Sequence, residues 1–383
     1  KPLWVYICRP PFLFNKIIAM IEQDILTALS NVQEPDLGKD LVTLNMVKDI
    51  AINGNDVSFT VVLTTPACPM KDMISTACVN AVKLLVNKSA NVQVNFTANT
   101  NSNRKDNKLL LPGVKNIIAV VSGKGGVGKS TVAANLALAF AQGGAKVGLM
   151  DADIYGPSVP IMFGVRGERP MMKEVNGKGM IMPLERFGIK LMSIGLLVDE
   201  KNAVVWRGPM ASSAIRQFVT DVDWGELDYL VIDMPPGTGD IHLTLMQTVP
   251  VTGAVIVSTP QAVALADAKK GIAMFGQAQV SVPIIGLVEN MAYFTPKELP
   301  DNKYFIFGKE GGKKLAEEYD LPFLGHIPIV QSIREGGDMG IPAMGGDDAV
   351  SKKAFELFAA SVVRNIAMRN ANIAPTKIIE VVE

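Results

Sequence analysis

Residues 117–140 read IIAVVSGKGGVGKSTVAANLALAF, and the fold follows from this stretch. The apolar run Ile117–Ser122 has the composition of a strand buried on both faces. It feeds Gly123-Lys124-Gly125-Gly126-Val127-Gly128-Lys129-Ser130, and a helix-forming stretch follows at once. This is the G-x-x-x-x-G-K-[ST] spacing between a strand and a helix, the context that a phosphate loop requires. Glycines let successive main-chain N–H groups turn inward around phosphate oxygens, where side chains would obstruct. The helix N-terminus adds partial positive charge. Lys129 sets a point charge between the β- and γ-phosphates, and Ser130 offers a hydroxyl to Mg²⁺. The ATP-binding set therefore runs from Gly123 through Thr131.

Outward from the loop, short apolar strands alternate with helical stretches from Val114 to the end. The strands expected are Ile117–Ser122, Lys146–Met150, Ile189–Ser193, Tyr229–Asp233, Gly253–Ser258, Ile284–Glu289 and Phe323–His326. Such alternation predicts an α/β domain, residues 114–383, whose mostly parallel, doubly wound sheet has helices on both faces. Carboxyl ends of parallel strands are where ligands bind in this architecture. Two acidic sites sit there: Asp151 and Asp153 in GLMDADIYGPSVP, and Asp233 in DYLVIDMPPGTGD. Asp233 is placed to hold Mg²⁺ through water and Asp151 to support that metal, while Gly237 can offer a main-chain N–H to the γ-phosphate. A turn or helix cap is the ordinary alternative for each aspartate. His242 and His326 have no cysteine neighbours and read as packing or surface residues.

Before the linker lies a smaller α+β unit, residues 15–97. It has a helix in IIAMIEQDILTAL, strands Val47–Ile52 and Val57–Leu63 about the turn Asn53–Asp56, a helix after Pro69, and an alternating strand NVQVNFT. Residues 98–113, polar and asparagine-rich, read as a linker. Residues 1–14 form an atypical leader, an apolar run broken by Arg9 and two prolines without a signal-peptide cleavage pattern, and Met20 is a natural start. Lys+Arg and Asp+Glu both total 37, which removes a global bias toward nucleic acid or anionic membrane. The cysteines number only three, Cys8, Cys68 and Cys78, which favours a reducing, cytoplasmic setting over a disulfide framework. No run approaches the roughly 18 apolar residues that span a bilayer.

GKGGVGKST resembles the deviant Walker A class of MinD, ParA, arsenite-pump and nitrogenase iron-protein ATPases. The resemblance implies a nucleotide-sandwich homodimer in which Lys124 reaches the partner's nucleotide, as an arginine finger does. It also implies that Asp153 orients the attacking water and that Asn290, closing GLVEN, hydrogen-bonds adenine; a plain strand-end asparagine is the alternative. DADIYGPSVPIMFG, WRGPM (Trp206 to Met210), DYLVIDMPPGTGD, VSTPQ and GLVENMAYF together resemble the Mrp/ApbC family of ATP-dependent iron–sulfur cluster carriers. LTTPACPMKD is similar to the small iron–sulfur assembly domain often fused to them. The resemblance implies slow Mg-dependent ATP hydrolysis, a transiently held [4Fe-4S] cluster, and scaffold and apo-protein partners. One departure is that many members carry a C-x-x-C after the ENM segment, whereas here no cysteine follows Cys78. Thiolates normally hold such clusters. Cys68 remains a candidate, in a loop before a helix whose dipole favours a thiolate, with a buried small hydrophobe as the alternative. Cys78 reads as core. A positioning ATPase of the MinD or ParA type is the rival, but it would want a basic amphipathic terminus or a basic face, and APTKIIEVVE ends acidic.

Overall fold

The computed structural model describes residues 20–100, 110–175, 177–198, 208–277, 280–296, 298–299, 301–374 and 376. The leader, most of the linker, Trp206 with Arg207, and all of the last residues 377–383 lie outside them. The chain divides into two compact units, one of Lys1–Val62 with Met70–Thr97, the other of Leu63–Pro69 with Ala98–Glu383.

The small unit contains α1 (Glu22–Leu29), the short pair β1 (Gln33–Glu34) and β2 (Lys39–Asp40), then β3 (Val47–Asn53), β4 (Asp56–Leu63), α2 (Lys71–Leu85) and β5 (Asn91–Ala98). β3, β4 and β5 form one sheet in that order, with β3 and β4 antiparallel. Along β4, Val57, Phe59 and Val61 point inward by simple alternation. They share the buried interior with Ile25, Leu29, Ile74 and Val82. Cys78 is fully buried on α2, and burial pushes its thiol up to about 12, so it packs as a small hydrophobe. The first helix begins at Glu22, since Ile21 is extended and serves as its N-cap residue.

The large unit runs β6 (Val114–Val121), α3 (Lys129–Gln142), β7 (Val147–Asp151), α4 (Val159–Met162), β8 (Met172–Val175), β9 (Lys178–Ile181), β10 (Leu184–Arg186) and β11 (Ile189–Ser193). It continues with α5 (Gly208–Thr220), β12 (Leu227–Asp233), α6 (Asp240–Thr248), β13 (Gly253–Ser258), α7 (Ala262–Phe275), β14 (Ile284–Glu289), α8 (Gly311–Glu318), β15 (Phe323–His326), α9 (Gln331–Asp338) and α10 (Ala349–Asn372). Eight strands make one sheet in the order β10-β11-β7-β12-β6-β13-β14-β15. All neighbours are parallel except β10 against β11. Every strand read from the sequence is there, and the doubly wound P-loop fold with it.

Both faces are covered, as the unbroken apolar strands require. On β6, Ile117, Ala119 and Val121 enter one core with α5, α6, α7 and α8, while Ile118 and Val120 enter the other with α3 and α10. Two elements went unread. The β8–β9 hairpin and β10 are short and mostly polar. α10 contributes Phe355, Phe358, Val362, Val363 and Ile366 to the second core. Among the described residues no helix is long and apolar enough to cross a membrane.

If α10 closes that core, Phe358→Ala should cost about 3–5 kcal/mol in urea unfolding. Leu357→Ala, at an exposed position one residue away, should stay within about 0.5 kcal/mol. Equal losses for the two would contradict this placement.

Candidate functional site

The loop after β6 is shaped by its glycines for two different reasons. Gly126 and Gly128 have φ of +83° and +82°, where a side chain is strained. A Cβ on Gly123 would run into the main chain of Asp267 and Ala268 in α7, so packing, as well as phosphate access, demands glycine there. At Gly126 a Cβ would meet nothing within 4 Å, which leaves an open hollow of the kind phosphate oxygens need. The hollow is a cavity of about 240 Å³ lined by Lys124, Gly125, Gly126, Gly128, Lys129, Ser130, Thr131, Asp153 and Ser158, among others. Val127 faces the other way, its side chain buried in the second core.

Lys129, only 6% exposed, reaches Asp233 at 2.6 Å and Asp153 at 3.7 Å, and its Nζ lies 3.2 Å from Ser130 Oγ. β7 and β12 lie side by side with Asp151 opposite Asp233, so the parallel register itself gathers these acids beneath the loop. Lys124 lines the cavity and makes no ion pair within 4.0 Å among the described residues.

The acids divide by what they touch. Asp233 is fully buried; its Oδ1 binds Lys129, and its Oδ2 has no hydrogen-bond partner. An orphaned buried carboxylate oxygen beside a serine hydroxyl fits Mg²⁺, a hard cation that keeps several waters and needs few protein donors. Accordingly, among the described residues there is no cluster of three or more His, Cys, Asp or Glu able to hold a metal alone. Asp151 is spent on protein donors: Oδ1 accepts from the Asp153 N–H, and Oδ2 from the Val159 N–H and the Ser193 hydroxyl. It thus shapes the Asp151–Val159 loop and aims Asp153. Burial raises the pKa of Asp151, and the charge of Asp233 adds to this. Burial also raises that of Asp153, against the pull of Lys129.

Two expectations meet a different arrangement. The Gly237 N–H donates to the Ser122 carbonyl at 2.9 Å, so it is not turned toward a phosphate in this state. The Asn290 side-chain N–H₂ donates to the Val127 carbonyl at 2.8 Å, gripping the loop itself instead of presenting to a base. Both are contacts between loops distant in sequence, which no motif announces.

The structure also brings in residues the sequence passed over. Ser158 has a buried hydroxyl without a partner, lining the nucleotide cavity. His242 is 1% exposed, not a surface residue, and neither ring nitrogen has a hydrogen-bond partner. Burial lowers its pKa to about 4, so the ring is neutral near pH 7. By contrast His326 lies 3.6 Å from Glu289 and edge-on to Phe323.

Cys68 is half-buried in the Leu63–Pro69 segment that groups with the large unit. There Thr65 Oγ1 accepts the Tyr229 hydroxyl at 2.8 Å, and Ala67 packs so close to Gly143 that a Cβ there would come within 2.7 Å of its own. Gly143 ends α3, so Cys68 sits near one end of that helix and the phosphate loop at the other, about 20 Å away. Cys68 is not part of the nucleotide site.

The Lys129–Asp233 contact has a testable energetic signature. Lys129→Met alone should leave an unpaired buried carboxylate and cost about 3–5 kcal/mol in the nucleotide-free protein. Adding Asp233→Asn should recover much of the loss. A double mutant as unstable as the sum of the singles would contradict the pairing.

With this geometry in place, comparison with known proteins is direct. Residues 113–364 match the family model of the NUBPL iron-transfer P-loop NTPase, and residues 22–95 that of an iron–sulfur cluster assembly protein. An iron–sulfur cluster carrier protein of Synechocystis is 49% identical over 346 residues, covering 90% of this chain and 97% of its own. One from Deinococcus radiodurans is 45% identical, covering 92% and 98%. A nucleotide-binding protein of Archaeoglobus fulgidus, solved in complex with ADP, superposes with TM-score 0.52 at 42% identity over 60% of this chain and 88% of its own. Loop, paired lysines and acidic strand ends, joined to a small assembly-type unit, are what these relatives share in sequence, and the chain belongs to the iron-transfer P-loop NTPase family of iron–sulfur cluster carriers.

Proposed function

We propose that the chain binds ATP with Mg²⁺ and hydrolyses it slowly as a nucleotide-sandwich homodimer, and that this cycle governs delivery of iron–sulfur clusters from a scaffold to apo-proteins in the cytoplasm. The small unit, residues 15–97, serves as the assembly module on a linker of residues 98–113. The observation that carries the reading is the contrast between the two loop lysines: Lys129 is held by two acids, while Lys124 lines the same cavity with no ion-pair partner among the described residues.

ATP would enter by drawing Lys129 off Asp233 onto the β- and γ-phosphates, with Gly123–Thr131 wrapping them. Release of Asp233 would leave its carboxylate and the Ser130 hydroxyl to hold Mg²⁺, which supplies charge neutralisation across the phosphates. Asp151 would keep the second of the two acids in place from behind. Asp153, made more basic by burial, would orient the attacking water and take its proton. For Gly237 to reach the γ-phosphate it must leave Ser122, and for Asn290 to reach adenine it must leave Val127, so both contacts describe a nucleotide-free resting state. Lys124 would stabilise charge on the partner's transferred phosphoryl group.

The cargo is a [4Fe-4S] cluster or its iron, held transiently. Family membership supports this over the positioning-ATPase rival, and Cys68 is the thiol we assign to it. Its distance from the phosphate loop means cargo and nucleotide occupy separate places in the subunit.

Steady-state turnover tests the reading. Lys129→Ala should abolish hydrolysis. Lys124→Ala should lower kcat about 100-fold or more while ATP affinity shifts less than about threefold, because its work is at the transition state. In parallel, protein loaded anaerobically with iron and sulfide should pass its cluster to apo-ferredoxin, and Cys68→Ser should not. Turnover unaffected by Lys129→Ala would refute the ATPase, and absence of cluster transfer by the wild type would refute the carrier.

A further inference from the structure

Besides the nucleotide hollow, the large unit holds a second cavity of about 410 Å³, lined by Asp153, Tyr155, Gly156, Pro235, Pro236, Gly239, Ile241 and His242. Asp153 and Pro236 line both cavities, so the two adjoin at the acid assigned to the attacking water. Its walls come from the segment after β7 and the segment after β12, which are the two that must respond to nucleotide. His242 is the third residue of α6, its own N–H donating to the Gly239 carbonyl.

A histidine used for packing normally has at least one ring nitrogen hydrogen-bonded, because a buried unpaired polar atom costs about 1–3 kcal/mol. Here both Nδ1 and Nε2 are buried and unpartnered. The carbonyls of Gly239 and Pro235 lie close enough to act on the ring without forming hydrogen bonds to it. The cavity could contain several waters at about 30 Å³ each. A polar ring facing a water-sized space beside Asp153 is therefore suited to fixing solvent.

We propose that His242 is a positioning residue for ATP hydrolysis, its imidazole anchoring a bridging water in this cavity that fixes the attacking water at Asp153. In the step, the water oxygen bonds to the γ-phosphorus as the bond from that phosphorus to the β,γ-bridging oxygen breaks. The water proton passes to the Asp153 carboxylate and then to solvent, ADP takes the electron pair, and His242 ends as neutral as it began. The proposal rests on the ATPase reading above and extends it to a residue outside the phosphate loop and the acidic strand ends.

The full-length chain provides the test, in three forms: wild type, His242→Leu and His242→Asn. His242→Phe replaces the leucine variant should leucine leave the chain unfolded. Saturating Mg-ATP turnover, Kd for a fluorescent ATP analogue and thermal unfolding are measured on each. His242→Leu should lower kcat about 10- to 100-fold, shift Kd less than about threefold, and unfold at an equal or higher temperature, since it removes two unpaired polar atoms. His242→Asn, which keeps a donor and an acceptor, should recover at least half of that loss on a logarithmic scale. Wild-type kcat in the leucine variant would overturn the assignment. So would an asparagine variant no better than leucine, or a loss of stability and nucleotide affinity together, which marks a packing role. Wild-type protein with no Lys129-dependent turnover would remove the ATPase reading and this inference with it; normal wild-type turnover beside an unaffected leucine variant removes only the inference.

Discussion

A lysine and an aspartate, both withdrawn from water, face each other at 2.6 Å beneath the phosphate loop, and the arrangement of the large unit follows from that contact. Neither Lys129 nor Asp233 can be buried alone without a large desolvation penalty. The sheet order sets β12 between β6 and β7, which puts the aspartate directly under the loop and a second acid, Asp151, at the same level next door. The lysine is therefore held where a triphosphate must come, by a partner that a triphosphate can replace. The same exchange would free the carboxylate for the metal that accompanies the nucleotide. Binding and site assembly become one event.

The neighbouring loops carry matching constraints. Gly237 is tied to Ser122 and Asn290 to Val127, while Asp151 ties its three donors into a fixed turn around Asp153. Each of the first two bonds joins the phosphate loop to a segment that follows a different strand. Movement of the loop would be felt at both segments. Cys68 stands apart, close to the far end of α3, so any traffic between nucleotide and thiol would run along a helix that is buried over most of its length.

The parts legible in the sequence were those set by local chemistry. Glycine spacing marked the loop, apolar runs marked the parallel strands, and aspartates at strand ends marked the acids, because strand, turn and helix preferences act over a few residues. Features that depend on distant pairs were not legible. Asn290 reads as a base ligand until its amide is found on Val127, 163 residues away. Gly123 reads as a phosphate contact until α7 is found against it. His242 carries no motif, and only its burial with two unpartnered nitrogens sets it apart. The segment around Cys68 reads as part of the small unit, yet Thr65 and Ala67 tie it to the large one through Tyr229 and Gly143. α10 was missed because its charged and apolar residues alternate without a clear stripe, and β10 because three mostly polar residues give little strand signal.

A crystal structure with Mg²⁺ and a non-hydrolysable ATP analogue tests the central claim most directly. The account predicts that Lys129 Nζ has left Asp233 for the β- and γ-phosphates, with the Gly237 N–H released from Ser122. Nucleotide bound in the loop while the 2.6 Å contact persists unchanged, or nucleotide bound elsewhere, would contradict it.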